Sequence, residues 1–63
     1  MKNVYKIKQE KVFQYKEYEI FKVTDYFGNW EYVLMYKNWF RKRSFDFTYL
    51  KNLALEDKPY KLN

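Results

Sequence analysis

Residues 30–43 read WEYVLMYKNWFRKR, and the predicted architecture follows from this stretch. Side chains alternate through residues 30–37 with the period of two that places successive residues on opposite faces of a β-strand. One face carries Trp30, Tyr32, Leu34 and Tyr36, and the other carries Glu31, Val33, Met35 and Lys37. A turn near Lys37 and Asn38 then leads into a second strand over residues 39–43. On that strand, we expect one face to carry Trp39, Arg41 and Arg43 and the other to carry Phe40 and Lys42.

The segment before this stretch predicts two further strands joined by a tight turn. Residues 12–15 and 18–25 are rich in β-branched and aromatic side chains, and Lys16 and Glu17 lie between them. This pattern is typical of a β-hairpin. A two-residue hairpin turn prefers Asn-Gly or a similar pair, so a helix over residues 9–16 remains an alternative.

A turn is also predicted immediately before the Trp30 strand. Phe27, Gly28 and Asn29 stand between two alternating segments, and Gly28 is the only glycine in the chain. Glycine and asparagine adopt positive φ more readily than other residues, which tight turns require. The strands on either side are therefore expected to pair in antiparallel fashion.

A single helix is predicted after the last strand. Either Ser44 or Asp46 can cap a helix over residues 47–56, because short polar side chains satisfy the free amides of a first turn. A stripe at helical spacing is formed by Phe47, Leu50, Leu53 and Ala54. Pro59 cannot continue a helix, so residues 58–63 are expected to form a frayed tail.

These elements predict an α+β fold, a small antiparallel β-meander of three to five short strands followed by one C-terminal helix. We expect residues 1–63 to form a single domain. Only about 60% of the unfolded surface can be buried in a chain of this size, so the core is thin. Aromatic side chains make up 25% of the residues and supply most of the area available for that core.

The composition excludes most catalytic and metal chemistry. The chain has no His and no Cys, which removes imidazole-assisted nucleophiles and thiolate or imidazole zinc sites. Its only serine, Ser44, is explained by helix capping, and a single glycine cannot build a phosphate-binding loop. We therefore expect a protein that is not an enzyme, with no catalytic residues, no metal site and no cofactor.

The compartment is predicted from the same absences. A chain without cysteine suits a reducing compartment, so a cytoplasmic location is expected. The longest apolar run covers residues 32–36, which is too short to form a signal-peptide core or to cross a membrane. The small size and the abundance of Lys, Asn, Tyr, Phe and Ile suit a phage or another mobile element, in which case the location is the host cytoplasm.

The positive charge is concentrated next to aromatic side chains. Thirteen basic and 8 acidic residues give a net charge of +5, and no acidic residue occurs between Glu31 and Asp46. The candidate binding residues within that interval are Tyr36, Lys37, Trp39, Arg41, Lys42 and Arg43. Cations bind backbone phosphates and flat rings stack on bases, so this pattern favours nucleic-acid binding. A second interpretation is that the Lys and Arg residues prevent aggregation at an edge strand and that the rings belong to the core.

The sheet itself leaves a second question open. The Trp30 strand is strongly apolar on one face and half apolar on the other, yet one short helix covers only one face of a sheet. Either the N-terminal hairpin curls round to close a small barrel, or the second face is an interaction surface. The order of the Trp30 strand, the Trp39 strand and a helix resembles the layout of small sheet-plus-helix DNA-binding domains such as the arm-binding domains of integrases. This resemblance assigns no site residues.

Two functions follow as hypotheses. The first is sequence-tolerant binding of DNA or RNA by the basic and aromatic residues named above. The second is an accessory protein of a phage or mobile element that binds and inhibits or modulates a host protein through an aromatic surface. Neither hypothesis requires a membrane or a small-molecule cofactor, and the sequence does not decide the oligomeric state.

Overall fold

The computed structural model describes residues 6–57, with side chains described from residue 8 onward. Four strands and one helix follow one another along the chain, namely β1 (Lys6–Tyr15), β2 (Tyr18–Asp25), β3 (Trp30–Tyr36), β4 (Trp39–Ser44) and α1 (Phe47–Glu56). The strands form one antiparallel sheet in the order β1-β2-β3-β4. The predicted α+β meander with a C-terminal helix is confirmed. The predicted tail over residues 58–63 lies outside the described residues.

The N-terminal segment is a strand, so the alternative helix over residues 9–16 is not adopted. β1 pairs with β2 up to Tyr15 and Tyr18, which are opposite each other at the turn. Lys16 has a φ of 55°, a left-handed conformation that closes the hairpin although neither turn residue is Gly or Asn. Pairing with β2 therefore outweighs the poor turn sequence.

The two hairpin turns at one end of the sheet lie side by side. Lys37 and Asn38 have φ values of 50° and 69°, as a type I′ turn requires of its two central residues. The Lys37 amide donates a hydrogen bond of 3.1 Å to the Glu17 carbonyl of the neighbouring turn. This bond ties the β1–β2 turn to the β3–β4 turn, as the antiparallel order requires.

At the other end of the sheet, Asp25 organises the β2–β3 turn. Its carboxylate accepts hydrogen bonds from the amides of Phe27 at 2.8 Å and Asn29 at 2.9 Å. Gly28 takes a φ of 89°, which confirms the predicted turn. Partial desolvation raises the pKa of Asp25, but hydrogen bonds from Asn29, Phe27 and Gly28 outweigh it, so the pKa lies below its usual value.

The core lies between the helix and one face of the sheet. It consists of five buried residues, Tyr18, Ile20, Leu34, Leu50 and Ala54. The predicted apolar stripe is confirmed, because Phe47 and Leu53 pack against the buried pair that α1 contributes. The N-cap is Asp46, whose carboxylate accepts the Tyr49 amide at 3.1 Å, while Ser44 Oγ accepts the Asp46 amide. At the C-cap, Asp57 accepts a hydrogen bond from the Tyr18 hydroxyl.

A register break in β4 corrects one prediction. Leu34 pairs with Lys42 and Met35 pairs with Phe40, so Arg41, which lies between Phe40 and Lys42, has no pairing partner on β3. Such a bulge interrupts the strict alternation of side chains along the strand. The expectation that Trp39, Arg41 and Arg43 share one face is therefore wrong.

The contacts of β4 show how the faces are divided. Trp39 pairs with Tyr36 on the helix side of the sheet, where the Arg41 guanidinium and the Lys42 ammonium also lie over aromatic rings. Phe40 and Arg43 pair with Met35 and Val33 on the opposite side. The predicted division of β3 into two faces is confirmed over the extent of the strand.

Candidate functional site

A row of four aromatic residues crosses the sheet at the end that carries the two hairpin turns. Cross-strand pairing joins Tyr15 to Tyr18, Tyr18 to Tyr36 and Tyr36 to Trp39, so each strand contributes one ring. We call these four residues the aromatic row. Cross-strand partners lie on the same face of a sheet, and here that face is the helix side. The row is thus a continuous band about 14 Å wide, three strand spacings, across one end of the sheet.

Burial changes steeply along the aromatic row. Tyr18 is 2% exposed, and its ring centroid lies 4.6 Å from that of Tyr36. Tyr36 is half-buried and packs against the core, whereas Trp39 on the edge strand is 71% exposed. The core interpretation of the rings therefore applies to Tyr36 but not to Trp39. The Trp39 indole is therefore available for contact with a partner, and an exposed aromatic ring combines a large apolar surface with a polar N–H group.

Four cationic groups lie over rings on the same side of the sheet. The distances from cation to ring centroid are 5.2 Å for Lys16 over Tyr15, 5.6 Å for both Lys37 and Arg41 over Tyr36, and 6.0 Å for Lys42 over Tyr49. Each contact is worth about 0.5–1 kcal/mol at an exposed site. The contacts hold the four charges close to the protein surface while leaving their donors facing water.

None of these four cations has a carboxylate partner among residues 8–57. The ion pairs there join Lys11 to Glu19 at 3.1 Å and Arg43 to Glu31 at 3.7 Å. Both pairs lie on the sheet face opposite the helix. Glu19 and Glu31 therefore do not neutralise the charge on the helix side of β4. Two other acidic side chains, Glu17 and Asp57, do lie near that side.

Those two acids restrict where the surface is positive. Glu17 and Asp57 line a small hollow of about 120 Å³ between the β1–β2 turn and the C-terminal end of α1. Lys16 lines the same hollow, so its charge is partly offset there. The other three cations, Lys37, Arg41 and Lys42, do not line this hollow and lie on the β4 side. We define the β4 surface as the helix-side residues Tyr36, Lys37, Trp39, Arg41 and Lys42.

The structure brings together five of the six binding residues that the sequence predicts. Arg43 is the exception, because the bulge at Arg41 turns it to the opposite face and towards Glu31. Sequence reasoning missed Tyr49, whose ring lies below the Lys42 ammonium. Nothing in the alternation of β4 indicates a contact with the helix, since it depends on how α1 packs.

The face of the sheet opposite the helix is apolar and has no described element packed on it. We call it the outer face, and its apolar residues are Phe21, Val23, Val33, Met35 and Phe40. They line a groove of about 370 Å³ bordered by Gln9, Glu31 and Arg43. β1 pairs only with β2 in the described ranges and forms the edge opposite β4, so the hairpin does not curl round to close a barrel.

A third group of exposed rings lies at the far end of the sheet. Tyr26, Phe27 and Phe45 are 63%, 78% and 70% exposed. Phe45 packs edge to face on Trp30 at 5.9 Å, and the Lys22 ammonium lies 5.0 Å from the Trp30 ring. This end carries a single described cation over its rings, in contrast to the β4 surface.

Over residues 6–57, no group of three or more acidic side chains is placed to hold a metal ion. No helix in that range is both long and apolar enough to cross a membrane. Comparisons with family models, with curated proteins and with solved structures gave no match to this chain. The two surfaces of the described residues that are suited to binding a partner are the β4 surface and the outer face.

Proposed function

We propose that this chain is a small, non-enzymatic protein that binds nucleic acid through the β4 surface. The proposal is supported by three cations that have no carboxylate partner in the described range, Lys37, Arg41 and Lys42. They lie on the same surface as the exposed indole of Trp39. The absence of His and Cys supports a role without catalysis. A cytoplasmic location belongs to the same proposal.

The two kinds of group on the β4 surface match the two parts of a nucleotide. Lys and Arg bind backbone phosphates, which provides most of the affinity and makes it depend on salt. The Arg41 guanidinium can donate two parallel hydrogen bonds to one phosphate. The Trp39 ring offers a stacking surface that every base can use, so binding is expected to tolerate different sequences.

The positions of the charged groups also favour a phosphate ligand over protection of an edge strand alone. Edge protection requires charge on β4 but gives no reason for Lys37 in the turn and Arg41 in the bulge to lie over one ring, that of Tyr36. Cations held over rings lose less side-chain entropy when an anion binds, because they are partly ordered beforehand. The arrangement thus favours binding.

The test compares two arginines of the same strand. Arg41→Gln and Arg43→Gln each remove one charge, but only Arg41 lies on the β4 surface, whereas Arg43 lies on the outer face beside Glu31. Fluorescence anisotropy with labelled DNA and RNA gives the affinity between about 50 and 200 mM salt. We expect R41Q to weaken binding about five- to tenfold and to reduce the salt slope by about 0.7–0.9, and R43Q to change neither much.

The two arginine variants also show which outcome would count against the proposal. Equal losses for R41Q and R43Q would mean that net charge alone attracts the nucleic acid. Affinity that does not change with salt would exclude phosphate contacts as its source. A thermal midpoint within a few degrees of the unsubstituted protein confirms that each variant is folded.

A second function is favoured by a separate observation, the uncovered outer face. Its apolar groove includes Phe40, which is 55% exposed, and its rim carries both signs of charge. Aromatic and apolar side chains in such a position often dominate protein–protein binding. In this alternative, the chain is an accessory protein of a phage or mobile element that modulates a host protein. Capture from nuclease-treated host lysate by the unsubstituted chain but not by Phe40→Ser would support it.

A further inference from the structure

We infer that the nucleic acid bound by the β4 surface is single-stranded and that one of its bases stacks on Trp39. The inference rests on the proposed function and narrows its ligand class. Three features of the fold carry it, namely the position of the helix, the division of β4 between two faces, and the exposure of one indole at the edge.

The helix stands on the same side of the sheet as the β4 surface. Leu50 and Ala54 of α1 pack on Leu34, and Tyr49 of the helix lies next to Lys42. The β4 surface is therefore a strip of the sheet that is bordered by the helix on one side and by the open edge of β4 on the other. A double helix is a stiff cylinder wider than this strip, whereas a single strand is thin and flexible enough to follow it.

Neither usual route into a DNA groove is open to this fold. A recognition helix needs several basic or amide side chains on its exposed side, but α1 (Phe47–Glu56) has only one basic residue, Lys51, and one amide, Asn52. A two-stranded ribbon can enter the major groove with one face, yet β4 supplies both arginines of the β3–β4 ribbon, and Arg41 and Arg43 lie on opposite faces of it. The helix side of that ribbon is also partly covered by α1.

Trp39 provides the positive argument for a single strand. Its indole is 71% exposed at the open edge, with Lys37 and Arg41 nearby to hold the flanking phosphates. A duplex hides the faces of its bases in its own stack, so an exposed ring can reach them only at an end. In a single strand every base face is accessible, and stacking on an aromatic side chain is worth about 1–3 kcal/mol per base.

The number of cations sets the expected size of the site. One phosphate for each of Lys37, Arg41 and Lys42 corresponds to about three or four nucleotides, the lower end of known single-strand sites. Neutralising about three phosphates of a single strand predicts a log-log salt slope near −2, from about −0.7 per phosphate. Affinity should rise with oligonucleotide length up to about four nucleotides and then increase only slowly.

The experiment uses the two tryptophans as a matched pair. Trp30→Phe leaves Trp39 as the only tryptophan, and Trp39→Phe leaves Trp30 at the far end of the sheet. Oligo-thymidine and oligo-uridine of two to about eight nucleotides and a blunt duplex are titrated against each variant. We expect single strands to quench the emission of W30F and to leave that of W39F unchanged.

Affinity measurements complete the test. Trp39→Leu should weaken single-strand binding about five- to 150-fold, which is the fold-change equivalent of the stacking energy. The duplex should bind more weakly than a single strand of equal length, because its bases cannot stack on Trp39. Comparison of the thymidine and uridine series shows whether the ligand is DNA or RNA.

The outcomes separate the inference from the proposed function. If the duplex binds as tightly as the single strand, or if the emission of W30F does not change, the single-strand inference is overturned while nucleic-acid binding stands. If R41Q weakens binding but W39L does not, phosphate contacts are retained and the stacked base is excluded. If neither the oligonucleotides nor the duplex binds at low salt, both proposals are overturned together.

Discussion

Replacing Leu34 by Ala tests whether only one face of the sheet forms the core. The Leu34 side chain is fully buried at the centre of the sheet, between Ile20 of β2 and Leu50 of α1. Removing three buried carbons and leaving a cavity costs about 3–5 kcal/mol. Val33, the preceding residue, points to the outer face and is only partly buried, so Val33→Ala should cost less than about 1 kcal/mol.

The size of the chain makes this difference easy to measure. A domain of 63 residues has a free energy of unfolding of about 3–9 kcal/mol, so the Leu34 substitution removes a large part of it. Urea unfolding followed by circular dichroism gives the change, and a slope of about 1 kcal/mol/M would shift the midpoint by roughly 3 M. Should L34A be unfolded in water, Leu34→Val provides a smaller perturbation of the same site. Equal destabilisation by V33A and L34A would refute the reasoning, because it would mean that both faces are buried.

Three further predictions concern the β2–β3 turn and the outer face. Because the pKa of Asp25 is lowered, its hydrogen bonds stabilise the fold above the unfolded pKa of about 4, and this stabilisation is lost as the pH falls below it. Thermal melts should therefore show that the difference in stability between the unsubstituted chain and Asp25→Ala becomes smaller in acid. A difference that stays constant with pH would contradict this prediction. Gly28→Ala should cost about 1–2 kcal/mol because a φ of 89° is unfavourable for a side chain; since no atom lies within 4 Å of the added carbon, a much larger loss in a urea titration would rule out a purely conformational cost. Phe40→Ser should leave nucleic-acid affinity within about twofold of the unsubstituted protein, since Phe40 faces away from the β4 surface. A large loss of affinity in the anisotropy assay would mean that the nucleic acid binds to the outer face instead.

Most of the fold could be predicted from local patterns. The alternation in residues 30–37 determines which side chains of β3 face the core, and it does so without knowledge of the rest of the chain. The helix was equally accessible, because Leu50 and Ala54 have helical spacing and Asp46 is a good cap. The Lys16 turn was less certain, since its left-handed conformation is enforced by strand pairing and not by the turn residues.

The candidate site was only partly predictable, because it depends on pairing. The bulge at Arg41 becomes visible only when β4 is set against β3, and without it Arg43 is assigned to the wrong face. The aromatic row likewise requires the register of all four strands, since its members are distant in sequence. Composition indicated the basic and aromatic character of β4, but the direction of each side chain is a property of the assembled sheet.

The bulges have a consequence for the behaviour of the chain at high concentration. β1 and β4 are the two open edges of the sheet, and both are irregular, because β1 has extra residues at Ile7 and Val12 and β4 has one at Arg41. A straight edge offers an unbroken series of backbone donors and acceptors onto which another molecule can add a strand, and a kink breaks that series. The bulge that places Arg41 over the Tyr36 ring therefore also hinders the addition of a strand from another molecule at this edge. In a chain so rich in aromatic residues and strands, this opposes the formation of fibrils.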